Sequence, residues 1–315
     1  MADIDHYLQA ATKENTRRSY QFAVEHYEVS WGGFLPATAE SIARYLADQA
    51  EELSINTLKQ RLAGLARWHQ DQGFPDPTKA PVVRQVLKGI RAVHPYQEKQ
   101  AKPLQISDLE KIILYLDKHI QNTSQRSELL PLCRNKALLL LGFWRAFRSD
   151  ELTRLKVEHI TIKAGIGLEI FLPRSKTDRN NQGTTYHVPA LSRLCPVNAY
   201  QDWIDLALFT EGPVFCGIDQ WGNINATAMH PNSIIPLLRE LLQKAGLTNT
   251  QSYSSHSLRR GFASWANANQ WDLKSLMQYV GWKDTKSALR YIDTDHSSAK
   301  ERIESALSRP SPKIK

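Results

Sequence analysis

Cysteine is scarce in this chain, and nothing in its placement suggests a bridge or a metal knuckle. Cys133, Cys195 and Cys216 are the three thiols in 315 residues, with no C-x-x-C spacing among them. An odd, scattered set excludes a disulfide framework and predicts ordinary thiols in a reducing cytoplasm. Long apolar runs are missing too. The longest, Ala137 to Phe143, falls far short of the roughly 18 residues a membrane span needs, and reads as a buried helix segment. The first residues, Met-Ala-Asp-Ile-Asp-His, lack a basic start followed by an apolar stretch, so export is not expected. No Gly-x-x-x-x-Gly-Lys phosphate loop occurs, and Asp150 with Glu151 alone does not make a two-metal carboxylate cluster. The expectation is therefore no cofactor and no metal. Internal repeats and low-complexity tracts are also lacking.

What the chain does have is length enough for two cores, 42% hydrophobic and 23% charged residues, and a net charge of +8. The charge is uneven. Residues 1–102 hold 13 Lys/Arg against 12 Asp/Glu, whereas residues 103–315 hold 27 against 20. A basic excess concentrated in the larger part predicts long-range attraction to a polyanion, with marked salt dependence.

Residues 1–93 read as helices. Tyr20, Ala23, Val24, Tyr27 and Trp31 recur at helical spacing over Asn15–Trp31. Further helices are predicted over Thr38–Leu53, from Ser54 to Gly73, and over Pro81–Val93. Val83, Val86, Leu87 and Ile90 give the last one a buried face; Arg84, Lys88 and Arg91, at i, i+4 and i+7, lie opposite. That basic row is either a solvated face or one lying on DNA; Lys59 and Arg61 on the third helix have the same two readings.

Residues 94–103, bracketed by prolines and poor in core residues, read as a linker between domains. Helical periodicity resumes at Leu104, with Ser107 as predicted N-cap and Glu110 completing a capping box. Between Val157 and Pro189 the period changes to two. Strands are predicted over Val157–Ile162, Leu168–Leu172 and Thr184–Val188, a small three-stranded sheet inside a helical domain that runs from 104 to 307. Helices then return, and residues 308–315 form a basic tail expected to be disordered.

Six residues of this second part make a chemical set: Arg148, Lys176, His256, Arg259, Trp282 and Tyr291. Each alone has an ordinary reading. Arg148-x-x-Glu151 is a common structural salt bridge, a lysine in a hairpin loop is usually just exposed, and a helical Trp or Tyr is usually core. Together they are the equipment for attacking a phosphodiester without a metal. Fixed guanidinium forks offset charge building on phosphate oxygens. Lys or His can give a proton to a leaving oxygen. A phenol, mostly protonated at neutral pH, needs a base or a positive field to become a nucleophile.

The order Arg, Lys, His-x-x-Arg, Trp, Tyr resembles that of the tyrosine recombinase (phage integrase) family. The flanking text matches as well: Gly142-Phe-Trp-Arg-Ala-Phe-Arg148-Ser-Asp-Glu-Leu, Ser255-His256-Ser-Leu-Arg259-Arg-Gly-Phe-Ala-Ser, Val280-Gly-Trp282, Arg290-Tyr291-Ile, and upstream Asn15-Thr-Arg-Arg-Ser-Tyr20. The resemblance covers roughly residues 10–305. It implies a mainly α fold with a small three-stranded antiparallel sheet, in which a helical core-binding domain and a catalytic domain form a C-shaped clamp on double-stranded DNA. It implies that Arg148 and Arg259 hold the scissile phosphate, Lys176 protonates the leaving 5′-oxygen, His256 assists, Trp282 donates its indole N–H, and Tyr291 becomes joined to the 3′-phosphate. Glu151 would support Arg148. A homotetramer on two duplexes at inverted-repeat sites is implied too. The terminal helix around Ser297–Leu307, with Ile303 and Leu307 at i, i+4, either docks on a neighbour or packs on its own domain. Many members have His where this chain has Trp282. Cre-like members have Trp, which donates a hydrogen bond but cannot shuttle a proton, so proton transfer falls to Lys176 and His256.

Overall fold

The computed structural model describes residues 12–95, 100–173 and 182–290, the side chain of Ser287 excepted. Lys176, Tyr291, the expected helix over 297–307 and the tail lie outside the described residues. The chain divides into two compact units, residues 1–99 and 100–315.

The first unit is helical. Helix α1 (Glu14–Glu25) widens into a π-helical turn (His26–Ser30), where a single continuous helix was expected, and is followed by α2 (Ala39–Asp48), α3 (Ile55–Asp71) and α4 (Pro81–Val93). Helices α2 and α3 begin where a hydroxyl can take an orphan amide: Thr38 Oγ1 accepts from Ser41 N and Ser54 Oγ from Thr57 N, both at 3.2 Å. Pro81 opens α4 with its ring in place of an N–H that would have no partner. Tyr27, Ile42, Tyr45, Leu46, Leu58, Leu65, Val83 and Ile90 interlock as the core. The apolar stripes predicted from sequence supply nearly all of it.

The second unit opens with α5 (Ile106–Asn122) and α6 (Arg126–Trp144). Gln105, not Ser107, is the N-cap of α5. Ser107 therefore lies inside the first turn and cannot cap it, and Glu110 instead accepts from Arg193 Nη2 at 2.8 Å. In α6 the run Ala137–Phe143 is buried throughout. A short α7 (Ser149–Thr153) leads to strands β1 (Ile160–Lys163), β2 (Gly167–Leu172) and β3 (Thr184–Pro189), antiparallel in that order. Ile160 faces Ile170, which faces Tyr186. Leu168, Ile170, Leu172, Tyr186 and Val188 point into the core, the period-two face predicted for these strands. The first strand starts later than expected. Val157–His159 forms a 3₁₀ turn, because Val157 N donates to Gly212 O and Glu158 Oε2 accepts from Gly212 N.

After α8 (Pro196–Ala207) a second, two-stranded sheet appears, β4 (Cys216–Ile218) with β5 (Ile224–Ala228), where only helices and loops were expected. Helices α9 (Ile234–Lys244), α10 (Ser257–Ala268), α11 (Leu273–Val280) and α12 (Thr285–Leu289) complete the unit. Among the described residues, no helix is long and apolar enough to cross a membrane.

Helix α10 lies against the segment entering α5 at Gly261. A Cβ there would sit 2.1 Å from the Leu104 carbonyl oxygen, an overlap that only backbone movement relieves. Gly261→Ala is therefore expected to destabilise the protein by about 3 kcal/mol, at the upper end for overpacking. A urea midpoint equal to that of wild type would show that residues 100–104 do not hold α10 as described.

Candidate active site

Two helix ends build the site, and each turns by the same device. At the end of α6, Ala146 takes the left-handed conformation (φ 54°). Phe147 N then bonds Gly142 O at 3.1 Å and Ala146 N bonds Phe143 O at 3.0 Å, the paired bonds of a Schellman cap. At the end of α11, Gly281 (φ 75°) does likewise, and Trp282 N reaches Met277 O at 2.9 Å. Glycine suits such a turn without strain; alanine adopts it against its preference. The first turn delivers Arg148 and the second delivers Trp282.

Arg148 is the N-cap of α7. Glu151, at the third helical position, accepts from the Arg148 backbone N–H at 2.8 Å and from its Nη1 at 2.6 Å. The Glu151 carboxylate is buried, and its other partner is Arg259, whose Nη1 lies 3.8 Å from Oε2. Arg259, 1% exposed, rises from the first turn of α10. It donates to the carbonyls of Ala146 at 2.7 Å and Val280 at 3.2 Å, and its guanidinium carbon sits 5.2 Å from the Trp282 ring centre. Arg148, Glu151, Arg259 and Trp282 thus form one cluster. His256 caps α10 one turn earlier and is exposed, with its backbone N–H on Ser254 Oγ at 3.2 Å.

Two residues beside this cluster carried no signal in the sequence. Arg145, buried at the last turn of α6, lies between the rings of Tyr186 (4.4 Å) and Tyr279 (4.5 Å) and donates from Nη1 to the Tyr279 carbonyl. Burial pulls its pKa down, opposed by Tyr279, Tyr186 and the charge of Glu151. Arg260, buried next to Arg259, donates to Gln100 Oε1 and to the Arg290 carbonyl, the latter at 2.7 Å. Arg290 is the last described residue before Tyr291. Lys176 falls between the end of β2 and the start of β3.

Two guanidiniums, those of Arg148 and Arg259, therefore share one buried carboxylate, with buried Arg145 and Arg260 beside them. In a low-dielectric setting such an excess of positive charge favours an anion at the open side of the cluster. Arg148 is the guanidinium best placed to meet one, its side chain being 22% exposed. The other carboxylate at this helix start, Asp150, is taken by Arg154 at 2.9 Å.

In the first unit, Arg84, Lys88 and Arg91 lie along α4, away from buried Val83 and Ile90, all three exposed, and Lys59 is exposed on α3. Arg61 departs from the sequence expectation. It is 8% exposed, with its guanidinium carbon 4.3 Å from the centre of the Phe22 ring. An arginine shielding an aromatic ring is part of the packing of α1 on α3, and it does not share the exposed face of Lys59.

Residues 107–298 match the phage integrase family. The chain is 30% identical over 296 residues to the integrase/recombinase xerD homolog of Selenomonas ruminantium, covering 91% of this chain and 83% of that protein. It is 26% identical over 275 residues to the recombinase cre of Escherichia phage P1, covering 82% and 77%. Among solved structures, the Tn1549 transposon integrase in complex with a circular intermediate DNA superposes with a TM-score of 0.61 at 15% identity, covering 94% of each chain. The XerH site-specific recombinase bound to its palindromic difH substrate gives a TM-score of 0.59 at 18% identity, covering 93% of this chain and 78% of that one. The arginine cluster, the helical fold with its small antiparallel sheet, and these likenesses lead to one assignment: the chain belongs to the phage integrase family, the tyrosine site-specific recombinases.

Proposed function

We propose that this recombinase breaks and rejoins DNA through a 3′-phosphotyrosine and exchanges strands between two specific sites by way of a Holliday junction. The Tyr291 oxygen attacks the scissile phosphorus while the bond to the 5′-oxygen breaks. Lys176 supplies the proton that the leaving oxygen takes up, and His256 receives the phenolic one. Arg148 and Arg259 neutralise the non-bridging oxygens, with Trp282 donating its indole N–H. One phosphoester replaces another, so the incoming 5′-hydroxyl reverses the step with no nucleotide or metal. The observation that carries this reading is the cluster of cations around Glu151, with Arg148 at its exposed edge. Arg260 adds support by holding the backbone one residue before Tyr291. Arg259 is buried, so its engagement with phosphate follows an opening of the site when DNA binds.

The working form in this reading is a homotetramer on two duplexes at inverted-repeat sites, acting in the cytoplasm, with each domain clamping the DNA: residues 1–93 as core-binding domain, 104–307 as catalytic domain. Purified protein, nicked duplex from the DNA flanking its own gene, and a chelator make the test. A protease-sensitive adduct on the 3′ side, together with recombinant product, is expected. Supercoil relaxation with no recombinant would mark a topoisomerase instead, and binding without any adduct would mark a DNA-binding regulator.

In the same reading Arg84, Lys88, Arg91 and Lys59 meet DNA phosphates. Replacing Arg84, Lys88 and Arg91 together by alanine is expected to weaken binding to all sequences alike. The slope of log affinity against log salt should fall by about three, about one for each phosphate no longer neutralised. An unchanged slope would leave α4 off the DNA.

A further inference from the structure

Arg145 is buried, charged and absent from every step above, and such a group is costly to keep unless it does something. Its neighbours are informative. On one face is Tyr186 of β3, the strand that leaves the segment holding Lys176. On the other is Tyr279 of α11, two residues before the Gly281 turn that delivers Trp282. Arg145 itself stands three residues before Arg148, at the end of α6.

The contacts around it form a closed frame. Arg145 Nη1 donates to the Tyr279 carbonyl, and Tyr279 Oη donates back to the Trp144 carbonyl at 2.8 Å. Arg259 ties the same two segments once more, from Ala146 O to Val280 O. Tyr186 meets Phe147 edge-on at 5.4 Å, so the strand also touches the turn directly. A buried cation lying over two rings is attracted to the face of each and so ties their spacing.

We propose that Arg145 is a positioning residue for strand cleavage: it holds the lead-in segments of Arg148 and Trp282, and strand β3 beside them, in mutual register. The inference rests on the phosphotyrosine reading above. A cation does this where an apolar side chain would not, because it binds a carbonyl of one partner while lying over both rings. Displacing reacting groups by about an ångström costs about 10²-fold in rate even when binding persists.

The test is single-turnover cleavage of a nicked duplex at saturating protein, set beside DNA affinity and melting temperature, for wild type, Arg145→Met, Arg145→Lys and Tyr291→Phe. Arg145→Met keeps an unbranched apolar stem and removes a buried charge, so it is expected to melt near wild type. Its cleavage rate should fall by about 30- to 100-fold, with affinity held within about threefold. Arg145→Lys keeps the charge and a donor for the Tyr279 carbonyl but cannot lie flat between the rings; it should recover part of the loss, to within about tenfold of wild type.

Wild-type cleavage by whichever variant folds would overturn the inference. So would affinity falling in step with rate, the mark of a general loss of structure. The Tyr291→Phe control separates the two layers. If it cleaves like wild type, the phosphotyrosine reading itself is wrong; if it is silent while Arg145→Met cleaves normally, only the role of Arg145 fails.

Discussion

Tyr291→Phe should bind its DNA as tightly as wild type and leave no covalent adduct, a loss of at least about 10⁴-fold in cleavage, as expected when a nucleophile is removed. The change deletes one oxygen and preserves the ring, so a packing role would survive it. Three other tyrosines of the second unit make poor substitutes. Tyr279 donates its hydroxyl to the Trp144 carbonyl, and burial pushes its pKa up. Tyr253 is engaged with Asp108 at 3.1 Å and is likewise raised, chiefly by burial. Tyr200, buried, is pushed to about 12. Each of these phenols is held protonated by its surroundings, the opposite of what attack on phosphorus needs. Mapping the adduct by protease digestion and mass spectrometry gives the decisive readout: a phosphotyrosine at any position but 291, or an adduct formed by the Phe variant, would remove Tyr291 from the role.

Much of this architecture can be read from residue order because it depends on local physics. The bounds of α4 follow from Pro81 and the 3.6-residue spacing of its apolar face. The sheet follows from alternation in Leu168–Leu172 and Thr184–Val188, and the turn before Trp282 from Gly281. The Arg148–Glu151 pair needs only helix geometry at i, i+3. What escaped the sequence depends on partners far along the chain. Ser107 has the chemistry of a cap, but the helix starts earlier, after Gln105, and Glu110 pairs with Arg193 from far along the chain. Arg61 looks like any surface arginine until Phe22, on another helix, is laid beneath it. The β4–β5 hairpin has strands too short to show a period, and is set by Asp219 Oδ1 accepting from Trp221 N at 2.9 Å and Asn223 N at 2.8 Å. Ala146 occupies a left-handed turn that composition would assign to glycine. Arg145 and Arg148 are indistinguishable as letters, yet one is enclosed by rings from two distant segments and the other faces outward.

That difference in exposure sets the second large effect. Arg148→Ala should lower single-turnover cleavage by about 10²–10³-fold, roughly 3–4 kcal/mol of transition-state stabilisation from one lost donor. The fold has reason to persist. Glu151 keeps the backbone N–H of residue 148 as a partner, and Arg259 remains 3.8 Å from its second oxygen, so the carboxylate is not stranded in the core. Affinity should change by no more than about threefold, because many phosphates contribute to binding and a single one is being cleaved. Arg148→Lys restores the charge without the two-pronged fork and should regain only part of the rate. Arg259→Ala is the less clean experiment. It would orphan the Ala146 and Val280 carbonyls as well as one side of Glu151, so its loss of cleavage would come mixed with loss of stability. If Arg148→Ala cleaves at the wild-type rate on saturating DNA, the cation excess around Glu151 serves folding alone, and the phosphate must be held by residues other than this cluster.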